Sequence, residues 1–348
     1  MRLKSYAAIF TVFLVSGAAL GADEKQARLT VAPVGERNPR NSEAAIAVLK
    51  GGDLLLGWTE FYAGSDADHA PARIRGKISK DKGRTWGEKF TLVENDGGCN
   101  VMEVNFIRLK SGGLALFYCK KNIKDKDIGV MMRVSEDEGR TWGAAKQFSP
   151  NGKYTGLTNG RCIRLRTGRI LLEAWEGGDS FCLLSDDDGV NWREGGRIKP
   201  DHGDCWEPVC LERKDGTVMM LMRTMLGGQY KSISKDGGGT WGKAVASPLT
   251  GSGSPAYVTR VPGTGDMLAI WNNDLGSTVS RTPLTSAIST DEGETWSHLR
   301  NIEETPGDRW AYPAITWIGN EALLTYFSYT GGISLHLRRV PEAWFYGK

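Results

Sequence analysis

An excess of charge of either sign is nearly absent from this chain. Its 44 Lys and Arg against 41 Asp and Glu leave a net charge of +3 over 348 residues, too little to draw it to nucleic acid. Cysteine is sparse. The six (Cys99, Cys119, Cys162, Cys182, Cys205 and Cys210) include no C-x-x-C spacing, so no zinc site is expected. An even number permits disulfides in an exported chain but leaves their pairing open. The N-terminal apolar run, Tyr6 to Leu20, is too short to span a bilayer comfortably. It follows Arg2 and Lys4 and runs into small residues at 19–22 before the polar Asp23-Glu24-Lys25. That pattern predicts a cleavable leader over residues 1–22 and a secreted or periplasmic mature chain. No long helical periodicity and no linker interrupt residues 23–348, which are expected to form one domain.

What is present is a repeat. The pattern S-x-D-x-G-x-[TN]-W occurs at Ser79–Trp86, Ser135–Trp142, Ser185–Trp192, Ser234–Trp241 and Ser289–Trp296. The copies fall about 50 residues apart, the period of propeller blades. Chemically the motif is a turn. Ser and Asp side chains accept backbone N–H groups, Gly supplies a positive φ, and Trp anchors the end in apolar surroundings. The five aspartates are therefore expected to be structural rather than catalytic.

A second repeat interleaves with the first: apolar strand, glycine turn, apolar strand. It begins at Ala44–Leu49 with Leu54–Trp58 and occurs six times in all, ending at Ala314–Ile318 with Ala322–Phe327. Each copy has the period and turn chemistry of a β-hairpin. A third short strand follows each hairpin and, in five cases, leads into the Asp-containing turn. The expected fold is all-β, a six-bladed β-propeller. A strand near Ala27–Val31 should complete the last blade and close the ring.

Aligning the hairpins on their glycines puts Glu43, Glu103, Asn159, Glu207, Pro255 or Ala256, and Tyr312 at equivalent places near the axis. Glutamates at a narrow axis are costly to desolvate unless used or paired.

Together, the five turns and six hairpins resemble the sialidase (neuraminidase) superfamily over essentially the whole mature chain. The turn alone also occurs in non-enzymatic propellers, so the functional implication rests on other residues. Glu207, in Trp206-Glu207-Pro208, resembles the family's glutamate that activates the nucleophile. Tyr312, in Trp310-Ala311-Tyr312-Pro313, resembles the nucleophile itself. Arg223 and Arg281 resemble the second and third arginines that bind the sugar's carboxylate. The first blade departs from the family's Arg-Ile-Pro. Arg40 is the choice for the first arginine, with Arg37 behind it. The acid is expected in the loop Ser65–Pro71 at Asp68, with Asp66 next and His69 able to assist. Glu43 and Glu103 are expected to orient arginines. Asn159 and Arg161 are expected to line the sugar's glycerol or N-acyl side, and the Lys120–Lys126 run to be a solvated loop.

The chemistry suits these residue types. Arg binds carboxylate through a planar fork. A tyrosine nucleophile avoids the repulsion that an acidic sugar would exert on a carboxylate, which makes such enzymes exceptions to the two-carboxylate scheme. The resemblance implies an exo-α-sialidase acting with retention on sialylated or other acidic glycans, without metal or cofactor. The alternatives are a propeller glycosidase or lyase for another acidic sugar, and a non-catalytic glycan-binding propeller.

Overall fold

The computed structural model describes residues 28–274, 276 and 280–348. The expected leader, residues 1–22, lies outside them. Among the described residues there are six four-stranded antiparallel sheets and one short 3-10 helix, Glu342–Tyr346. The sheets are the blades of a six-bladed β-propeller. Five of them run in chain order from the axis outward. The sixth takes Trp310–Ile318, Glu321–Ser328 and Ser334–Pro341, then borrows Leu29–Ala32 as its outermost strand, with Leu29 opposite Leu337. The two ends of the domain thus share one sheet and close the ring. No described helix is long and apolar enough to cross a membrane. All six cysteines are unpaired, although the Cys182 and Cys210 sulfurs lie 3.5 Å apart.

The repeated turns join the third and fourth strands of their blades. In each, the Ser hydroxyl accepts the N–H of the residue four positions on, for example Gly139 to Ser135 at 2.7 Å. The Asp carboxylate accepts both the N–H and the side-chain donor of the residue four positions on, a Thr hydroxyl in four copies, as at Thr141 on Asp137, and the Asn191 amide on Asp187. The residue before the Gly also has φ near 60° (Lys82, Glu138, Asp188 and Glu292). Gly139 itself has φ 81° and lies so close to blade one that a Cβ there would meet Leu55 Cδ2 at 2.8 Å. The glycine therefore serves both conformation and blade packing.

The turns also carry the contacts between blades. Glu138 accepts the N–H of Lys50 in blade one and pairs with Arg108 of its own blade at 2.7 Å. Asp188 repeats this on Lys110 with Arg164, and Glu292 on Lys214 with Arg260. Blade four has Gly237 where the acid would be, and there Glu212 receives the Arg166 N–H instead. Blade six has no such turn; Glu342 of the 3-10 helix receives the Gly263 N–H. Each of these carboxylates satisfies a backbone donor that a tight hairpin leaves unpaired.

Replacing Gly139 by Ala adds left-handed backbone strain and an overlap with Leu55. Gly139→Ala is predicted to lower stability by about 1–3 kcal/mol, measured by urea unfolding. An unchanged midpoint would contradict this packing account.

Candidate active site

The innermost strands deliver the site. In four blades their pairing slips by one residue, between Ser42 and Ala45, Met102 and Asn105, Trp206 and Val209, and Ala311 and Ala314. The residues at these bulges are Glu43, Glu103, Glu207 and Tyr312, all left-handed, with φ of 46°, 64°, 46° and 56°. A bulge re-aims a side chain, and strained non-glycine backbone of this kind is costly unless its surroundings hold it. The strands begin several residues earlier than their apolar pattern indicates, because the ladder continues past the bulge. In blade three the left-handed residue is Gly160, φ 68°, so the expected ring position was one residue off at Asn159.

All four bulge side chains line a cavity of about 420 Å³, together with Arg40, Asp68, Arg223 and Arg281. Tyr312 donates its hydroxyl to Glu207 Oε1, and Arg223 Nη1 lies 2.6 Å from Glu207 Oε2. Burial alone would raise the pKa of Glu207. The Arg223 charge and the Tyr312 bond outweigh it and hold this carboxylate below its ordinary range. Burial and the adjacent Glu207 push the Tyr312 phenol well above its ordinary value, with Arg223 and Arg281 opposing. At rest Tyr312 therefore keeps its proton and shares it with a charged glutamate. Its ring stacks on Phe327 with centroids 5.2 Å apart. The Arg281 guanidinium is 5.5 Å from the Tyr312 ring centroid and donates to the Tyr329 hydroxyl.

Arg40 is saturated. Its Nε donates to Ser42, its Nη2 to Glu43 at 2.6 Å, and its Nη1 to the Asp66 carbonyl and to Asp68 at 2.5 Å. Asp68 sits at the mouth, with its side chain 74% exposed. Its seat against the pocket wall favours the neutral form, but Arg40, then Lys121 and Arg281, hold it below the ordinary value of 3.8.

Glu103 has no such partner. Its Oε2 is buried without a hydrogen-bond partner among the described residues. Burial, then Glu43 and Glu207, push its pKa well above 4.5 against the pull of Arg40 and Arg161. Its setting therefore favours the protonated form more than that of an ordinary glutamate.

The other expected substrate contacts do not line this cavity. Arg37, Asp66 and His69 are exposed, and Asp66 meets the site only through its carbonyl on Arg40. Asn159 is fully buried and gives its amide to the carbonyls of Ala44 and Tyr312. Arg161 is also fully buried, with Nη2 on the Ala256 carbonyl at 2.6 Å. Both brace the axis through backbone carbonyls rather than reaching the cavity. The far wall is apolar and was not anticipated: Met102, Ile128, Leu157 and Trp175, with Tyr154 and Cys119. Lys121 was misassigned to a solvated loop. It belongs to the second strand of blade two, is buried, and lines the cavity; residues 123–126 of that run are exposed as expected. Register gave the signal. Cys119 pairs with Met102 as Arg223 pairs with Trp206, and Lys121 lies two residues on, on the same face.

Residues 52–324 match the model of the BNR repeat-like domain family. The chain belongs to that family. It is a member of the sialidase-like superfamily, and curated relatives include a sialidase of Bacteroides fragilis, 25% identical over 211 residues, 56% of this chain and 38% of that protein. A sialidase of Micromonospora viridifaciens is 24% identical over 344 residues, 87% of this chain and 52% of its own. The chain thus spans about half or less of the length of these relatives. Among solved structures, Trypanosoma rangeli sialidase shares the fold with TM-score 0.74 at 17% identity, covering 92% of this chain and 60% of the other. A protein of unknown function from Dyadobacter fermentans superposes with TM-score 0.76 at 17% identity, covering 92% of this chain and all of that one.

The raised pKa of Glu103 has a consequence for stability. A group whose folded pKa is raised contributes stability below its unfolded pKa and loses it as pH rises toward the folded value. Glu103→Gln mimics the neutral form and removes that loss. Its melting temperature relative to wild type is predicted to rise steadily from pH 5 to pH 8. Parallel curves would show that Glu103 is ionised in the fold.

Proposed function

We propose that this protein is an exo-α-sialidase, a retaining glycoside hydrolase that releases terminal sialic acid or a related nonulosonic acid from glycans. The observation that carries the reading is the Tyr312–Glu207–Arg223 chain, facing Arg40 and Arg281 across one cavity. A binding module has no need of a buried phenol held against a charged glutamate. The apolar wall of Met102, Ile128, Leu157 and Trp175 suits the carbon skeleton of an N-acyl sugar. His69, the motive for a different acidic sugar, is outside the cavity lining.

In this mechanism the three arginines hold the substrate carboxylate. Tyr312 Oη attacks the anomeric carbon while Glu207 takes its proton, so the nucleophile carries no net charge toward the acidic sugar until it reacts. The glycosidic C–O bond breaks, and Asp68 protonates the departing oxygen. Water then attacks the tyrosyl intermediate, Asp68 takes its proton, and Tyr312 leaves and recovers its proton from Glu207. Two inversions give net retention. The Asp68 bond to Arg40 makes binding and acid strength interdependent. A substrate carboxylate that takes over Arg40 Nη1 removes the contact that keeps Asp68 ionised, and its pKa rises toward the range a proton donor needs.

Hydrolysis of a fluorogenic sialoside tests the assignment. Tyr312→Phe is predicted to lower kcat by on the order of 10³-fold or more. Glu207→Gln should cost about 10²–10⁴-fold. Equal rates for wild type and Tyr312→Phe would remove Tyr312 from the mechanism, and no turnover by wild type on any linkage would remove the substrate class.

A further inference from the structure

The loop that carries Asp68 joins the second and third strands of blade one, which end at Phe61 and begin at Ala72. It contains no strand or helix of its own, so something outside it must fix the acid. Blade two does this. The Asp68 carbonyl accepts Lys121 Nζ at 2.7 Å and Asn100 Nδ2 at 3.0 Å, and the same Asn100 amide donates to the Ala70 carbonyl at 2.8 Å. Asn100 and Lys121 face each other across the first two strands of blade two. The pin is thus built on paired strand backbone rather than on another loop.

Lys121 is an uncommon residue for such a task. Its side chain is buried, with 6% exposure, and lines the cavity. Among the described residues no carboxylate lies within ion-pair distance of it. A buried ammonium without a paired anion is costly, and a neutral donor such as a second Asn would hold a carbonyl as well. A positive charge kept here needs a reason, and the nearby one is the Asp68 carboxylate, which Lys121 stabilises second only to Arg40 among the cations.

We propose that Lys121 is a positioning residue: it holds the Asp68 loop at the cavity mouth through the Asp68 carbonyl and keeps a positive charge beside the Asp68 carboxylate. The proposal rests on the reading of Asp68 as acid and base. The charged groups around Asp68 are Arg40 with Glu43 behind it in blade one, Lys121 and Asp125 from blade two, Arg281 from the loop between the second and third strands of blade five, and Asp66 and His69 on its own loop. Arg40 will meet the substrate carboxylate when sugar binds. Lys121 then remains as the cation that keeps Asp68 from becoming too weak an acid to release its proton.

The test compares wild type, Lys121→Met and Lys121→Arg in two measurements. The first is hydrogen exchange of residues 65–71, which needs no substrate. Lys121→Met is expected to exchange there at least about tenfold faster, with the blades unchanged, and Lys121→Arg to restore most of the protection. The second is turnover of an aryl sialoside and of sialyllactose. A good aryl leaving group needs little protonation, whereas lactose needs it fully. Lys121→Met is therefore expected to lose about tenfold or more in kcat on sialyllactose and much less on the aryl substrate, with KM changed less than about threefold. The limb of its kcat–pH profile on which the acid loses its proton should move to higher pH, and Lys121→Arg should move it back. Unchanged exchange in Lys121→Met overturns the inference whatever the substrate. Equal losses on both substrates with an unmoved profile also overturn it. Failure of wild type to hydrolyse either sialoside removes the functional reading instead, and the exchange result still decides the pin.

Discussion

Three buried carboxyl groups share one axial cavity, and each must be answered there because burial keeps water from doing so. Glu207 is met by Arg223 and the Tyr312 hydroxyl. Glu43 is met by Arg40 and Ser42. Among the described residues Glu103 has no ion-pair or hydrogen-bond partner, and burial beside Glu43 and Glu207 raises its pKa. Moving any one group changes the proton balance of the others, since unpaired charge at low dielectric is worth several kcal/mol. The chemistry proposed for this site uses that tension. Glu207 is charged and ready to accept, Tyr312 is neutral and ready to give, and Asp68 is held in its charged form first by Arg40 and then by Lys121 and Arg281.

Such an arrangement requires a rigid frame, which the repeated turns supply from the other end of the ring. None of their residues lines the cavity. Acids tie blades two, three and five to the blade before through a hairpin N–H, and in blades four and six, which lack the turn acid, Glu212 or Glu342 takes its place. With the blades locked, four inner strands can sustain a left-handed residue at a bulge. Four side chains then project together into the cavity, a placement that regular strand pleating would not give.

Much of this was legible in the sequence, for identifiable reasons. Eight-residue turns and glycine-centred hairpins are local, so blade number and closure followed from them. Glu207, Arg223 and Tyr312 stand at strand ends that the hairpins define, and the structure brings them together. Asn159 differs because in blade three the left-handed position is Gly160, one residue on, and a one-residue offset reverses the facing of extended chain. Lys121 was hidden in a run of charges that looks solvated, though its strand extends to Ile123. Glu103 was read as an orienter of arginines. Its raised pKa depends on Glu43 and Glu207, more than fifty residues away on either side in sequence, and no local pattern encodes that.

The central claim is that this cavity holds an acidic sugar by its carboxylate above Tyr312. A crystal soaked with an unsaturated sialic acid analogue tests it most directly. The account predicts the carboxylate within about 3 Å of Arg40, Arg223 and Arg281, the anomeric carbon over the Tyr312 hydroxyl, and Asp68 released from Arg40. An analogue bound with its carboxylate away from these arginines, or an empty cavity at saturating concentration, would contradict it.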